Sequence, residues 1–220
     1  ARALSMLERA ASVALAIDGD EVVARVTNHS GHKLPTGHIE GRRAWLNLRF
    51  VDAAGQLLGE HGHYDPIEAH LDEATTTVYE MQVGLSPEAA AATGLPAGVT
   101  THMALADTIE KDTRIPPRGF SNASFEAAGA PAVGATYADG QYWHEARFPL
   151  PAQTAQVHAT LYYQTLTRHY IEAFRDGNTT DDWGHTLHAL WQQTGRGAPV
   201  RMTDAGLALV DAILADGFEP

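Results

Sequence analysis

The sequence contains no cysteine among its 220 residues. Disulfide bonds, thiolate metal ligands and cysteine nucleophiles are therefore excluded. The Cys-x-x-Cys-His motif that attaches a c-type haem covalently is excluded for the same reason. The absence does not decide the redox compartment, because a chain without disulfides folds in either environment.

Basic residues are also few: 15 Lys and Arg stand against 27 Asp and Glu, which makes the formal net charge −12. This charge repels nucleic acid phosphates, so we expect no nucleic acid partner. No apolar run approaches the ~18 residues of a membrane span, so we predict none. The chain starts at Ala1 without an initiator methionine or a visible signal peptide, and we expect a processed protein or a fragment.

Motifs of several enzyme classes are missing as well. The sequence has no Gly-x-Ser-x-Gly elbow, no P-loop and no dinucleotide-binding fingerprint. We therefore assign no catalytic residue, and we predict no turnover of esters, phosphates or glycosides.

What the sequence does contain is a series of runs that alternate apolar and polar residues, the pattern of half-buried strands. The clearest run spans residues 43–51 and predicts that Leu46, Leu48 and Phe50 are buried while Arg49 is exposed. Further strands are predicted at residues 13–17, 22–26, 56–63, 76–83 and 156–164.

Short helices are predicted between and after the strands. Ser86 and Gly94 have the residue types that begin and end a helix. Residues 167–175 and 184–194 also have helical patterns. Thr203 is a candidate N-cap for a last helix, whose apolar stripe consists of Leu207, Val210, Ile213 and Leu214.

Strands joined by turns and long loops favour a mainly β fold, namely an antiparallel β-sandwich with short helices and a C-terminal helix. Its general architecture is expected to be Ig-like. We divide the chain into the end of a preceding helix (1–10), a β-sandwich domain with helical insertions (11–200) and a C-terminal helix packed on it (201–220).

Twelve histidines are the main candidates for chemistry. The densest group lies in the predicted loop 28–42, where His32 and His38 flank a Pro-Thr-Gly turn. Glycine and proline would stiffen this loop and aim two imidazoles at one metal ion or haem iron. The alternative is a rigid loop whose histidines hydrogen-bond its own backbone.

His61 and His63 form a second candidate metal site. Residues i and i+2 of a strand share a face, so both rings would be able to hold one copper or zinc ion. The alternative is a solvent-facing pair at a strand end.

Two further segments have a weaker pattern. Residues 176–182 place oxygen-bearing side chains as a calcium loop would, although they depart from the EF-hand pattern. The alternative is a polar connection between two helices. Residues 137–143 are rich in aromatics, which would stack on a sugar or a porphyrin edge or pack on the core.

Longer strings resemble the C-terminal β domain of bacterial multihaem c-type cytochromes. They cover nearly the whole chain and comprise VTNHSGHKLPTG at 26–37, EGRRAWLN at 40–47, KDTRIPPRGF at 111–120, YADGQYW at 137–143 and LYYQT at 161–165. In that family a haem-binding N-terminal region precedes this domain, and that region is absent here.

The resemblance implies a non-catalytic accessory domain of an exported, periplasmic or cell-surface electron-transfer protein. It implies a haem-bearing cytochrome region or subunit as partner and makes His32 a candidate ligand to a neighbouring haem. No haem would be bound covalently by this chain. The alternative is a free-standing periplasmic or extracellular protein that binds copper or zinc, or calcium, with His32, His38, His61 and His63 as candidate ligands. Homo-oligomer formation is left open.

Overall fold

The computed structural model describes residues 2–209. The helices in this part are α1 (Arg2–Ala10), α2 (Pro87–Thr93), α3 (Asn122–Ala127), α4 (Arg168–Gly177) and α5 (Trp183–Gln193). The strands are β1 (Ala11–Asp18), β2 (Glu21–Asn28), β3 (Arg43–Val51), β4 (Leu57–His61), β5 (Tyr64–Asp65), β6 (His70–Leu71), β7 (Val78–Leu85), β8 (Gly98–Val99), β9 (Thr108–Asp112), β10 (Trp143–Pro149), β11 (Gln156–Gln164) and β12 (Val200–Ala208). No helix between residues 2 and 209 combines the length and apolarity that a membrane crossing requires.

The strands form two open antiparallel sheets. The first has the order β1-β2-β10, and the second has the order β12-β11-β3-β7-β8, with β4 paired to β3 and β9 paired to β7. A short ladder of β5 and β6 stands apart from both sheets. The prediction of a mainly β, antiparallel, sandwich-like fold with short helices is confirmed.

The main core lies between the two sheets. Apolar side chains from one face of each sheet pack there, and they include Val22, Ala24, Val26, Leu46, Leu48, Phe50, Phe148, Val157, Ala159 and Leu161. Burial of one large aliphatic or aromatic side chain stabilises the fold by about 1.5–3 kcal/mol. Leu46, Leu48 and Phe50 are buried and Arg49 is exposed, as the alternation predicts.

The opposite face of β3 is buried too. Trp45 packs there with Leu71 and Val78 beneath the segment that connects β4 to β7. Next to this cluster, Ile171 of α4 and Trp191 of α5 form a third apolar group. β3 is therefore covered on both faces.

Helix α2 shows how local sequence sets an element. The Ser86 hydroxyl accepts a hydrogen bond from the Ala89 amide at 3.1 Å, which satisfies a free amide of the first turn. Gly94 ends the helix with φ 73°, a left-handed conformation that glycine adopts without strain. Helices α4 and α5 also lie where the sequence predicts them, within a few residues.

The end of the chain differs from the prediction in one respect. Residues expected to begin the last helix at Thr203 form strand β12 instead, paired with β11. A register shift at Leu161 and Tyr162 turns Met202 toward the main core together with Leu207. Leu209 is helical, and the rest of the predicted helix lies outside the described residues.

Candidate functional site

The His32 loop (residues 28–34) follows β2 and is organised by the buried side chain of Asn28. The Asn28 amide donates hydrogen bonds to the carbonyls of His32 at 2.7 Å and of Ile115 at 3.0 Å. Its carbonyl oxygen accepts from the Ser30 amide at 2.8 Å and from the Ser30 hydroxyl at 2.7 Å. A single side chain thus closes the loop on itself and binds it to a distant segment.

Lys33 points into the protein from the middle of this loop. Its ammonium lies 2.7 Å from the Asp112 carboxylate and donates to the carbonyls of Ala130 at 2.9 Å and Pro131 at 3.0 Å. It also stands 5.5 Å from the ring centre of Phe125. The pKa of Lys33 is lowered from its ordinary value, because the effect of burial outweighs the hydrogen bond and the charge of Asp112, which raise it.

Asp112 is fully buried and also pairs with a second cation. Arg114 donates two hydrogen bonds to the Asp112 carboxylate, of 2.8 and 2.7 Å. Backbone bonds between Leu34 and Ile115, at 2.9 and 3.1 Å, add a short antiparallel bridge beside this cluster. These contacts hold the end of the His32 loop at Lys33 and Leu34, and the Asn28 hydrogen bonds hold its start.

The histidines of this region lie in different surroundings. His29 hydrogen-bonds the Ser12 hydroxyl at 2.7 Å, and His38 hydrogen-bonds the Tyr170 hydroxyl of α4 at 3.0 Å. His32 is exposed, and its imidazole makes no hydrogen bond with residues 2–209. Hydrogen bonds and an ion pair hold the loop backbone, while the role of His32 as a haem or metal ligand stays a prediction.

The segment around His61 and His63 differs from the continuous strand that the sequence suggests. β4 ends at His61, and Gly62 turns the chain with φ 71°. A Cβ atom at Gly62 would lie 2.4 Å from the Leu46 carbonyl oxygen, so the turn presses directly on β3. The two imidazoles therefore do not share one strand face.

Each of these two rings has its own neighbours. The His61 ring packs against Phe148, with 4.8 Å between ring centres, and meets the edge of Phe50 at 6.1 Å. His63 is exposed, and its Nδ1 lies 3.3 Å from a Glu60 carboxylate oxygen. His61 thus belongs to the rim of the core, and His63 belongs to the surface.

Between residues 2 and 209, no group of three or more His, Cys, Asp or Glu side chains is arranged to hold a metal ion. In the predicted calcium segment, the Asn178 amide donates to Asp181 at 2.6 Å, and Asp181 accepts from the Trp183 amide at 3.0 Å. These hydrogen bonds are internal to the segment, which connects α4 to α5. Metal binding by His32, His38, His61 or His63 stays a prediction.

The aromatic segment 137–143 packs inward in part. Tyr137 is buried and donates its hydroxyl to the Thr113 carbonyl at 2.9 Å. Nearby, the Tyr79 hydroxyl and the Nδ1 of His144 lie 3.1 Å apart. Burial raises the pKa of Tyr79 and lowers that of His144, so both side chains stay neutral near pH 7.

A cleft of about 670 Å³ opens beside the start of α4. It lies between residues 40–43, residues 69–74, β7, residues 99–101 and the start of α4. The buried side chains of Glu40 and Arg43 form part of its wall. Sequence reasoning did not single out this cleft, because its walls come from five separate segments of the chain.

Sequence reasoning also missed the burial of Lys33, Asp112 and Arg114. A signal was present, since all three lie within the strings that resemble the cytochrome domain.

No protein family and no curated protein matches this sequence. A penta-haem cytochrome c552 from Thermochromatium tepidum has a similar structure, with a TM-score of 0.51 and 19% sequence identity. The match covers 93% of this chain and 41% of that chain, so this chain spans less than half of the cytochrome's length. The likeness shows a shared fold and supports the resemblance to multihaem cytochromes at that level.

Proposed function

We propose that this chain is a non-catalytic accessory domain of an exported multihaem c-type cytochrome, located in the periplasm or at the cell surface. The observation that carries this proposal is the fold match, which covers nearly all of this chain but under half of the penta-haem protein. The haems would belong to the partner region or subunit, because a chain without cysteine has no thioether attachment.

The His32 loop supports a specific role within such an assembly. Asn28 and the buried Lys33–Asp112 pair hold the loop backbone, yet the His32 imidazole remains exposed. A haem ligand must be presented at fixed geometry, and a loop held in this way provides it. We therefore propose His32 as the residue of this chain that would coordinate a neighbouring haem iron.

Association with haem is tested on the native protein. An antibody against this domain would isolate the protein from its source, and the pyridine haemochrome spectrum would measure c-type haem. We expect haem in the isolated material, on the same polypeptide or on a bound subunit. Haem-free material, isolated under conditions that keep complexes intact, would contradict the proposal.

The role of His32 has a separate test in the haem-bearing protein. Replacement of His32 by Ala should convert one haem from low-spin to high-spin, as measured by electron paramagnetic resonance and the Soret spectrum, because the iron loses one of its axial ligands. His29→Ala is the matched control, since His29 is three residues away and already bonded to Ser12. Identical spectra for His32→Ala and the unaltered protein would leave His32 with no ligand role.

A further inference from the structure

Glu40 is a buried carboxyl group that lines the cleft described above. Glu40 is only 6% exposed. It makes no hydrogen bond or ion pair with any residue from 2 to 209. Buried carboxylates are almost always paired, because transfer of an isolated charge out of water is costly. Burial accordingly raises the pKa of Glu40.

The backbone around Glu40 is fixed in position. Gly41 adopts φ 65°, and a Cβ atom there would lie 2.6 Å from the Tyr170 Cβ. The Gly41 carbonyl accepts a hydrogen bond from the Thr167 amide at 2.9 Å. The turn is thus packed tightly on the start of α4, and Glu40 has little freedom to reach solvent by a backbone movement.

Most of the other acidic side chains along the cleft form ion pairs with basic side chains. Glu73 pairs with Arg43, Glu80 accepts from the Lys111 ammonium at 2.8 Å, and Glu172 accepts from Arg168 at 3.0 Å. The lining carries five carboxyl groups but three guanidinium groups. Arg42, the third guanidinium group, makes no ion pair with residues 2–209, and its Nη1 donates to the Thr36 carbonyl at 2.6 Å. The carboxyl groups that no basic side chain pairs with among these residues are Glu40 and Asp72, whose carboxylate accepts from the Ala74 amide.

We propose that this cleft binds an organic cation whose ammonium or guanidinium group pairs with the Glu40 carboxylate. A metal ion fits less well, because no third ligating group accompanies this residue among those described. Tyr170 packs against Gly41, the residue after Glu40, and lines the same cleft, so its aromatic ring is available to contact the cation. Leu71 and Met81 in the lining offer apolar contact to a carbon chain.

The test uses 1,4-diaminobutane as the cationic probe and 1,4-butanediol as its neutral counterpart, with calorimetry on the whole chain at pH 7.5. We expect binding of the diamine and none of the diol. Glu40→Gln should weaken the diamine affinity about tenfold or more, because one partner of a buried charge pair is lost. Glu88→Gln is the matched control, since Glu88 is exposed on α2 and away from the cleft.

A second arm distinguishes a free amine from a side chain of a partner protein. The peptide acetyl-Gly-Lys-Gly-amide is compared with the same peptide acetylated on its lysine. Tighter binding of the free lysine peptide than of the diamine supports a partner side chain, and the reverse supports a small free amine. Failure of both cations to bind, or equal affinity in Glu40→Gln with an unchanged circular dichroism spectrum, overturns the proposal. Neither outcome bears on the haem association, because this site shares no residue with the His32 loop.

Discussion

The buried cluster of Lys33, Asp112 and Arg114 places one carboxylate between two cations. Asp112 is fully buried, and the side chains of Lys33 and Arg114 are 5% and 12% exposed. Such a cluster does not have to add net stability, because the desolvation of three ions opposes their attraction. Loss of the central carboxylate alone would leave two uncompensated charges in the interior. Loss of one charged member of the cluster is therefore costly, even though the intact cluster does not have to add net stability.

Asp112→Ala is expected to lower the free energy of unfolding by about 3–5 kcal/mol, the usual result when one partner of a buried pair is removed. Urea unfolding followed by circular dichroism measures the change. Asp204→Ala is the control, because Asp204 pairs with Arg201 in an exposed setting, where ion pairs contribute about 0–1 kcal/mol. Similar losses of unfolding free energy for the two variants would show that the buried cluster contributes no more to stability than an exposed ion pair does.

Glu40 predicts an unusual dependence of stability on pH. Its pKa is raised by folding, so the unfolded chain ionises at a lower pH than the folded chain does. Ionisation therefore costs stability above the unfolded pKa, and that cost is absent at low pH. Glu40→Gln should have a higher melting temperature than the unaltered protein at pH 7, and the difference should shrink as the pH falls toward about 4.

Calorimetric melting at pH 7 and pH 4 measures this effect, with Glu88→Gln as the exposed control. A melting temperature for Glu40→Gln that is unchanged at both pH values would mean that Glu40 finds a partner not seen in the described residues. The expected gain also fits a binding residue, since a site that waits for a cation keeps an unpaired charge until the ligand arrives.

At the scale of elements, the turn after β4 is set by one glycine. Gly62 has a left-handed conformation and no room for a side chain, because the Leu46 carbonyl lies directly beside it. The Gly62 carbonyl in turn accepts from the Trp45 indole at 3.2 Å. The same residue therefore ends β4 and anchors the aromatic group on the second face of β3.

Gly62→Ala is expected to lower the free energy of unfolding by about 2 kcal/mol or more, since left-handed strain and steric overlap add together. Gly55→Ala is the matched control, because Gly55 has φ 80° but nothing within 4 Å of the added methyl group. That variant should lose only about 1 kcal/mol. Equal losses, measured by urea unfolding, would argue that Gly62 has space the structure does not show.

Strands and helices with strong local patterns were predictable from the sequence. Alternation in β3 and β11 identified both strands and their inward faces, and Ser86 and Gly94 identified the ends of α2. The burial of Trp45 was not predictable from alternation, because it depends on a long connection folding back over β3. The start of the last helix was wrong, since pairing with β11 outweighs a weak capping signal at Thr203.

The candidate site was predictable only in part. The glycine- and proline-rich sequence around His32 indicated a long loop, and the structure has a connection without helix or strand between Asn28 and Arg43. The pairing of Lys33 with Asp112 joins residues that are 79 positions apart, and no local pattern carries that information. The expected pairing of His61 with His63 depended on a straight strand, which Gly62 interrupts.

At the scale of the whole molecule, the described part of the fold is explained without a metal ion. Two sheets enclose the main core, one smaller apolar cluster lies on the far face of β3, another joins α4 to α5, and charge pairs hold the loops. We expect dialysis against EDTA to leave the melting temperature unchanged within error. A decrease that zinc or copper reverses would favour the alternative of a free-standing metal-binding protein.

The contacts of Lys33 also make the conformation of the His32 loop depend on segments that come much later in the chain. Lys33 meets Asp112 and the Pro131 carbonyl across 79 and 98 positions of sequence. Contacts this remote in sequence form slowly, because a large loop of chain must close before they gain anything. During synthesis, the His32 loop would emerge long before its anchors exist. Its imidazole therefore reaches its final orientation only in a chain whose later segments have already folded against it, and a truncated or misfolded copy would not display it.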